Sequence, residues 1–331
     1  MRELGKFLVR RFISYLVLIF LASSFAYLLA AATLSPRTNF DQLQPRPSQE
    51  AIEKELDKLN LNDNTPIAQR YGTWVRDLVL HGDFGQTIDD QSVNEAVARK
   101  AGVTLRLIIV GTGLGCSVGV AIGAYSAVKQ YRGFDKAATA AAFFVLAVPT
   151  VVIAVSMREA ARWFNDVTGV RFFEYGGEYT AGLDAGFWGT LADRLQHGIL
   201  PTLTLALALF AAFSRYQRNM MLDVLGSDFV RTAMAKGLTR RAALLKHALR
   251  TALIPTITYF TFTFGILLAG TTFTEKIYGW HGMGAWVVDS ITQNDVNAVA
   301  AVTFFMAVCV MAASFLSDIL YAWLDPRVRV S

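Results

Sequence analysis

The stretch Asp228-Phe-Val-Arg-Thr-Ala-Met-Ala-Lys-Gly-Leu-Thr-Arg240 lies between two long apolar blocks and is the most informative part of this sequence. It belongs to a basic segment, residues 214–250, with eight Lys/Arg and two acids. Two short helical patterns flank Gly237, which suits the left-handed position after a helix C-terminus. Thr239 is placed to cap the second helix. A chain of apolar spans that presents such a helix–glycine–helix element has a docking element for a soluble partner.

Each of the two short helices is predicted to carry an apolar face. The first brings together Phe229, Val230, Ala233 and Met234. In the second, apolar residues recur at i, i+1, i+4, i+5 and i+8, which is one helical stripe. These are Leu244, Leu245, Ala248, Leu249 and Ala252. A basic loop lying on anionic lipid headgroups would explain the charge of the segment, but it would not explain the break at Gly237.

The rest of the chain is dominated by apolar blocks of membrane length. Of the 331 residues 53% are hydrophobic, and the mean hydropathy is +0.38. A membrane span needs about 20 largely apolar residues. Five blocks of that length lack Asp, Glu, Lys and Arg: 12–34, 107–128, 137–157, 251–274 and 296–316. A sixth block, 199–213, is shorter, and its helix could continue past Arg215. We therefore predict an all-α polytopic membrane protein with six transmembrane helices; a seventh span would require the aromatic stretch after Phe172 to enter the bilayer.

The blocks divide the chain into three predicted regions. Residues 1–34 form a short N-terminus and the first span, whose apolar core is longer than the ~7–15 residues of a signal peptide. Residues 35–100 form a helical loop domain, in which Ser48 caps a helix and Gly82-Asp-Phe-Gly85 forms a turn. It would sit at the pore mouth, meet an external partner, or act as a cover alone. Residues 101–331 form the transmembrane core, which contains the basic segment 214–250.

Orientation follows from the Lys/Arg content of the short loops. With the N-terminus inside, the inner pieces carry seventeen Lys/Arg and the short outer loops carry five. An even number of spans then places both termini in the cytoplasm. The net charge of +5 is thus a topology signal, and no soluble basic domain exists that would bind nucleic acid.

Two spans carry further patterns. Gly111, Gly115, Gly119 and Gly123 recur every four residues, which indicates a tight helix contact, either within the chain or across a dimer. In the third span Pro149 permits a kink. In the fifth span, Thr256, Thr263 and Gly265 are polar or small. Either these residues line a mildly polar pathway, or the threonines bond only to their own helix.

Several function classes are disfavoured by the residues that the sequence lacks. No ionisable residue sits in the middle of a clear span, which argues against an ion-coupled secondary carrier. The motifs His-Glu-x-x-His, Gly-x-Ser-x-Gly and the phosphate-binding loop are absent, so we expect neither an intramembrane enzyme nor ATP binding by this chain. Cys116 and Cys309 lie inside apolar spans and are expected to be packing residues. We expect no metal site.

The segment Asp228–Leu238 resembles the cytoplasmic "EAA" loop of type I ABC importer permeases, in the version of the dipeptide/oligopeptide (DppB/OppB-like) family. Arg231-Thr232-Ala233 stands where the generic loop has Glu-Ala-Ala. The stretches that begin at His197 and His247 agree with the family, as does Gly82–Gly85. Glu275–Gly284 resembles the family's aromatic-Pro-Gly-x-Gly motif, with His281 in place of proline. The resemblance covers nearly the whole chain.

The resemblance implies a type I ABC importer permease fold in the bacterial cytoplasmic (inner) membrane. This chain would pair with a second, homologous permease subunit, and cytoplasmic ABC ATPase subunits would bind ATP and Mg²⁺ beneath them. A substrate-binding protein would dock on the outer face, and membrane lipid would surround the spans. The ATPase-coupling residues would be Asp228, Arg231, Thr232, Ala233, Lys236, Gly237, Leu238 and Thr239.

The implied activity is import of di- or oligopeptides by alternating access, with ATP hydrolysis on the separate subunits. Relatives in the same permease class move nickel, glutathione or other peptide-sized solutes, and these remain alternatives because the binding protein does most of the selecting. A secondary carrier is the remote alternative.

Overall fold

A computed structural model describes residues 2–41 and 43–324, and over these ranges the chain is helical, with one isolated β-bridge between Gln86 and Ser92. A single π turn, Leu244–Ala248, joins two of the helices. The helices are α1 (Arg2–Thr33), α2 (Arg37–Asp41), α3 (Gln49–Lys58), α4 (Ile67–His81), α5 (Val93–Val128), α6 (Gly133–Ala147), α7 (Thr150–Thr168), α8 (Gly186–Leu225), α9 (Asp228–Ala235), α10 (Arg240–Ala243), α11 (Leu249–Tyr278), α12 (Met283–Thr292) and α13 (Val296–Leu324).

The helix lengths fit a polytopic membrane protein. In the described part of the chain, α1, α5, α8 and α13 each contain a stretch long and apolar enough to cross a bilayer, and the bent pair α6–α7 adds a fifth span if it counts as one. The 30-residue α11 has no Asp, Glu, Lys or Arg over residues 251–274. Four of its side chains lie outside the described residues, as do residues 325–331. The six-span count is compatible with these helices and stays a prediction.

The segment 137–157, expected to be one span, is two helices that meet at 105°. The residue before a proline avoids the helical region, because the proline ring clashes with it. Val148 accordingly has extended backbone angles (φ −97°, ψ 125°), and Pro149 stands just before α7. The proline therefore breaks the segment more sharply than a kink would.

The described chain forms two compact units. One comprises residues 2–104 and 281–312, and in it α1 packs on α4. Tyr27 is fully buried and stacks on Trp74 at 4.7 Å between ring centroids. The Asn297 amide donates to the carbonyl oxygens of Leu59 (3.2 Å) and Gln86 (2.9 Å), which ties the loop domain to the start of α13.

Two local predictions for the loop domain are confirmed. Ser48 caps α3, because its hydroxyl oxygen accepts from the Ala51 N–H at 3.3 Å. The stretch 82–85 turns the chain after α4, and both of its glycines have left-handed backbone angles, with φ of +65° at Gly82 and +92° at Gly85. Phe84 between them is buried.

The second unit, residues 105–280 with Ala313 onward, is organised around α8, on which α6, α7 and α11 pack. Tyr278 joins three of these helices. Its hydroxyl donates to the Ala154 carbonyl of α7 at 3.0 Å and lies 2.9 Å from the Thr204 hydroxyl of α8. The predicted extension of the 199–213 span past Arg215 is present, since α8 runs without interruption to Leu225.

The four glycines of α5 lie against α8 of the same chain. A Cβ atom placed on Gly111 would lie 3.1 Å from the Leu205 Cβ, and one on Gly115 would lie 2.7 Å from the Ala206 carbonyl oxygen. The same construction at Gly119 meets the Phe213 Cβ at 2.9 Å, and at Gly123 it collides with the Ser214 carbonyl. Contacts this short leave no room for a side chain, so the stripe permits the two backbones to approach closely.

Replacing Gly115 with leucine should destabilise this contact, since the new side chain meets backbone atoms that cannot rotate away. Overpacking of this kind costs about 1–3 kcal/mol, and we expect a lower midpoint of thermal unfolding for the purified protein. Gly113→Leu is the matched control, because a Cβ on Gly113 has no atom within 4 Å. Equal unfolding midpoints for the two variants would contradict the packing argument.

Candidate functional site

The site is the segment from α9 to the π turn, which we call the coupling loop (residues 228–248). It begins where Gly226 and Ser227 end α8 and start α9. On α9, Val230 (1% exposed) and Ala233 (8%) are buried, whereas Phe229 (44%) and Met234 (38%) are exposed. At i, i+1, i+4 and i+5 the four residues share one helix face, with the buried pair in its middle and the exposed pair at its edges.

The turn after α9 has the geometry that the sequence predicts. Gly237 has φ +93°, and its N–H donates to the Met234 carbonyl at 3.0 Å. The Leu238 N–H donates to the Ala233 carbonyl at 3.2 Å, which closes the wider hydrogen-bonded ring typical of a glycine-terminated helix. A Cβ on Gly237 would meet no atom within 4 Å. The glycine is therefore required by the backbone angle and not by lack of space.

The second short helix begins as predicted and continues differently. The Thr239 hydroxyl oxygen accepts from the Ala242 N–H at 3.3 Å and caps α10. After Ala243 the chain makes the π turn and runs directly into α11. Hydrogen bonds in a π turn join residues five apart, so the helix turns less per residue than an α-helix.

The predicted stripe is only partly buried. Leu244, Ala248 and Ala252, spaced four apart, are all buried. Leu245 is 58% exposed, and Leu249 is half-buried. The stripe therefore contributes three of its five members to the core.

The inner faces of the coupling loop share one hydrophobic core with the ends of the long helices. Val230 and Ala233 of α9 pack with Ala243 and Leu244, and the cluster also includes Met221. Ala248, the last residue of the π turn, is a further member, and Ala127 at the end of α5 and Ala252 in the first turn of α11 complete the cluster. The loop is thus packed on the helix ends instead of hanging free from them.

The outer face of the loop combines apolar and charged groups in water. Around Phe229 and Met234 stand the exposed side chains of Arg231 and Asp228, whose closest ion-pair distance is 3.9 Å. Such exposed pairs contribute little to stability. Thr232, Lys236 and Thr239 are also exposed, and Leu238 is half-buried. Of the predicted coupling residues, Ala233 alone is buried, and its role is in the core.

A buried ion pair lies beside the loop, and sequence reasoning missed it. Asp135 at the start of α6 accepts two hydrogen bonds from the Arg218 guanidinium of α8, at 2.6 and 2.8 Å. It also accepts from the Ser126 hydroxyl and the Tyr131 N–H, each at 2.8 Å. In the sequence, Arg218 is one of the eight Lys/Arg of the basic segment 214–250, and no pattern there indicates its partner. In the structure its side chain is 20% exposed and that of Asp135 is 3% exposed.

The neighbouring basic residue, Arg215, is engaged with α6 as well. Its guanidinium carbon lies 3.6 Å from the centroid of the Phe143 ring, which is a close cation–π contact. Arg215 and Arg218 therefore connect α8 to α6. Neither belongs to a solvated basic surface.

A second polar link joins α8 to α11, and it involves one of the predicted pathway residues. The Thr256 hydroxyl donates to the fully buried Gln217 side-chain oxygen at 2.6 Å. Thr256 is 3% exposed in this chain, and its predicted place in the pathway stays a prediction. Thr263 donates to the Tyr259 carbonyl of its own helix at 2.9 Å. The surroundings of Gly265 lie outside the described residues, and pathway lining there stays a prediction.

Among the described residues, no three His, Cys, Asp or Glu side chains are grouped so as to hold a metal ion. Cys116 is half-buried and Cys309 is buried, and both thiols are free.

Comparison with known proteins gives one family and a consistent set of relatives. Residues 119–330 match the family described as "binding-protein-dependent transport system inner membrane component". The chain is 51% identical to the oligopeptide transport system permease protein OppB of Mycobacterium tuberculosis (strain ATCC 25618 / H37Rv), over 98% of this chain and 99% of that protein. It is 34% identical to the oligopeptide permease AppB of Bacillus subtilis (strain 168), over 87% and 88% of the two chains. The dipeptide permease DppB of Escherichia coli (strain K12) is 31% identical, over 80% and 81%.

The buried ion pair generates a stability prediction. Asp135→Asn removes the anion and leaves the part-buried Arg218 guanidinium without its charge partner. Hydrogen bonds to charged groups contribute about 1.5–3 kcal/mol, so we expect a clearly lower unfolding midpoint for the purified protein. The matched control is Asp223→Asn, an exposed carboxylate on the same α8, which should change stability by less than about 0.5 kcal/mol. An Asp135→Asn variant as stable as the native protein would show that the pair is unimportant.

Proposed function

Since the chain belongs to the family of binding-protein-dependent transport system inner membrane components, we propose that it is the membrane subunit of an ATP-driven importer of di- and oligopeptides. The observation that carries the substrate class is the 51% identity, over almost the entire chain, to a protein named as an oligopeptide permease. Two further relatives named as oligopeptide and dipeptide permeases agree with it.

The coupling loop is the surface on which a separate ATPase subunit would dock. Its outer face presents Phe229 and Met234 to water among charged side chains. An exposed apolar pair on a short helix fits the way in which helices seat in hydrophobic grooves of partner proteins. Arg231 and Lys236, which are both exposed, would steer the partner electrostatically. ATP and Mg²⁺ would be held by that partner, and this chain would hold neither.

The membrane orientation supports the same arrangement. The excess of Lys/Arg in the pieces assigned to the inside, seventeen against five, supports a cytoplasmic position for both termini and the coupling loop. The loop domain, residues 35–100, would then lie outside, where a substrate-binding protein would deliver peptide. A second, homologous permease subunit would complete the pathway, because one chain supplies only one of its walls.

Transmission of movement from the ATPase to the spans follows from the packing of the loop. Val230, Ala233 and Leu244 share one core with the ends of α5, α8 and α11. Because a packed core resists deformation, displacement of α9 by the ATPase would move these helix ends as a unit. Such a rigid-body movement would switch the pathway between inward and outward access.

The left-handed turn at Gly237 provides the first test of coupling. Leucine at this position should distort the turn, since a left-handed angle costs an ordinary residue about 1–2 kcal/mol. We expect Gly237→Leu to lower peptide uptake by about tenfold or more while the assembled ATPase still hydrolyses ATP. Uptake and ATP hydrolysis are measured on the same purified complex in proteoliposomes.

Gly237→Asn is the matched control, because asparagine tolerates left-handed angles. It should retain most of the uptake, although its side chain is as exposed as that of leucine. Normal uptake by Gly237→Leu would overturn the coupling role of this turn. Loss of the ATPase subunits from the Gly237→Leu complex would show that the turn serves assembly instead.

The substrate class is tested by deleting this chain alone and measuring uptake of labelled dipeptides, tripeptides and longer peptides, with nickel and glutathione in parallel. We expect peptide uptake to fall to the background level and nickel uptake to stay unchanged, and the cloned chain should restore it. Unchanged peptide uptake with loss of nickel or glutathione uptake would keep the permease assignment and overturn the peptide proposal.

A further inference from the structure

A groove lies at the end of α8 opposite the coupling loop, in the unit formed by residues 105–280. It has a volume of about 550 Å³ and runs between α5 and the first turns of α8. Val110 and Leu114 line it from α5, and Leu191, Leu195 and Ile199 line it from α8. The two helices meet closely further along, from Gly111 onward, so the groove is the space left where they diverge.

The polar groups of the groove are mainly hydrogen-bond donors. Arg106 and Arg194 both line it, as does Trp280. Trp280 is 7% exposed, and its indole N–H has no hydrogen-bond partner among the described residues. The carboxylate of the groove, Glu178, is engaged by Arg106 at 3.3 Å. A buried donor without an acceptor is costly in an apolar environment, so a ligand that supplies acceptors would suit the groove.

The surroundings place this end of α8 at a membrane surface. The side chains of Phe187 and Trp188, in the first turn of α8, are 74% and 77% exposed, and Trp163 at the end of α7 is 65% exposed. Tyr179 is exposed too, and the Arg194 guanidinium carbon lies 5.6 Å from its ring centroid. Exposed aromatic rings collect at the level of lipid headgroups. At that level the arginines would be at the depth of phosphate groups, and the aliphatic side chains would lie beside acyl chains.

We propose that this groove binds one anionic phospholipid, with its phosphate at Arg194 and Arg106, an ester oxygen at the Trp280 N–H, and one acyl chain along α5 and α8. A phospholipid supplies acceptors at its head and needs no hydrogen bonds along its tail. A transported peptide fits less well, since its backbone N–H groups would find few acceptors among the aliphatic side chains. Because the bilayer itself solvates acyl chains, the preference for this site comes from the polar contacts.

The test is native mass spectrometry of the complete transporter purified in detergent, titrated with dioleoyl phosphatidylglycerol or dioleoyl phosphatidylcholine. We expect one phosphatidylglycerol per complex to be retained more tightly than phosphatidylcholine. The variant R194Q/W280F should bind phosphatidylglycerol about tenfold more weakly, because it loses a charged and a neutral hydrogen-bond donor. The variant G198F should abolish the tight site, since a Cβ on Gly198 meets no atom within 4 Å and the ring can fill the groove without moving the backbone.

Matched controls separate this site from lipid that coats the spans. R162Q removes an exposed arginine outside the groove, W188F alters an exposed tryptophan, and G113F adds a ring to the open face of α5. All three should bind phosphatidylglycerol like the native complex. Equal affinity for the two lipids, or unchanged binding by both groove variants, would overturn the proposal. So would displacement of the lipid by trialanine, or a cross-link from a photoreactive residue at Leu195 to another subunit.

Discussion

The ion pair between Asp135 and Arg218 determines how the coupling loop is supported. Its bidentate hydrogen bonds fix the start of α6 on α8, and the bonds from Ser126 and Tyr131 add the end of α5 and the turn that follows it. Every acceptor position of this buried carboxylate is used, which is the condition under which a buried charge is tolerated. Three helix ends are therefore held at fixed positions next to the hydrophobic core in which α9 lies. A loop resting on helices that could slide independently would not transmit a displacement.

The close approach of α5 and α8 is the complementary constraint inside the spans. In lipid no hydrophobic force brings two helices together, so the contact depends on backbone proximity and van der Waals packing. The glycines at 111, 115, 119 and 123 permit it, and Gln217 with Thr256 adds a buried polar link from α8 to α11. The glycine stripe and the Gln217–Thr256 hydrogen bond both act on α8. Together they connect α8 to α5 and to α11.

Local sequence signals predicted local structure well. The glycine at 237, the threonine at 239 and the serine at 48 act on backbone groups only a few residues away, and each has the predicted geometry. The coupling role of the loop and the pathway residues stay predictions, since one chain without its partners does not test them. Contacts between residues far apart in the sequence were not predicted. Asp135 and Arg218 are 83 residues apart, and each alone resembles an ordinary loop charge.

The π turn and the 105° bend were missed for a different reason. Both change the direction of a helix within a segment that remains helical. The amino-acid composition and the hydrophobic pattern of such a segment change little. The apolar pattern before α11 fits a regular helix as well, and the hydrogen bond from the Leu249 N–H to the Leu244 carbonyl identifies the π turn. Likewise, Pro149 indicates that the chain bends but leaves the angle to be set by packing on α8. Patterns of residue type therefore predict which segments are helices better than they predict where each helix points.

Pro201 separates two groups of contacts along α8. At about 1.5 Å per residue, its 40 residues extend about 60 Å, beyond the ~30 Å of a hydrocarbon core. All atoms of α8 that contact the glycine stripe follow Pro201, and so do Gln217 and Arg218. Most of the groove residues of α8 precede Pro201. A proline inside a helix removes one backbone hydrogen bond, so the two parts are less firmly joined there than elsewhere. Displacement of the coupling loop would accordingly move the part after Pro201 as one body with α5, α6 and α11, while the aromatic residues would keep the first turns of α8 at the membrane surface.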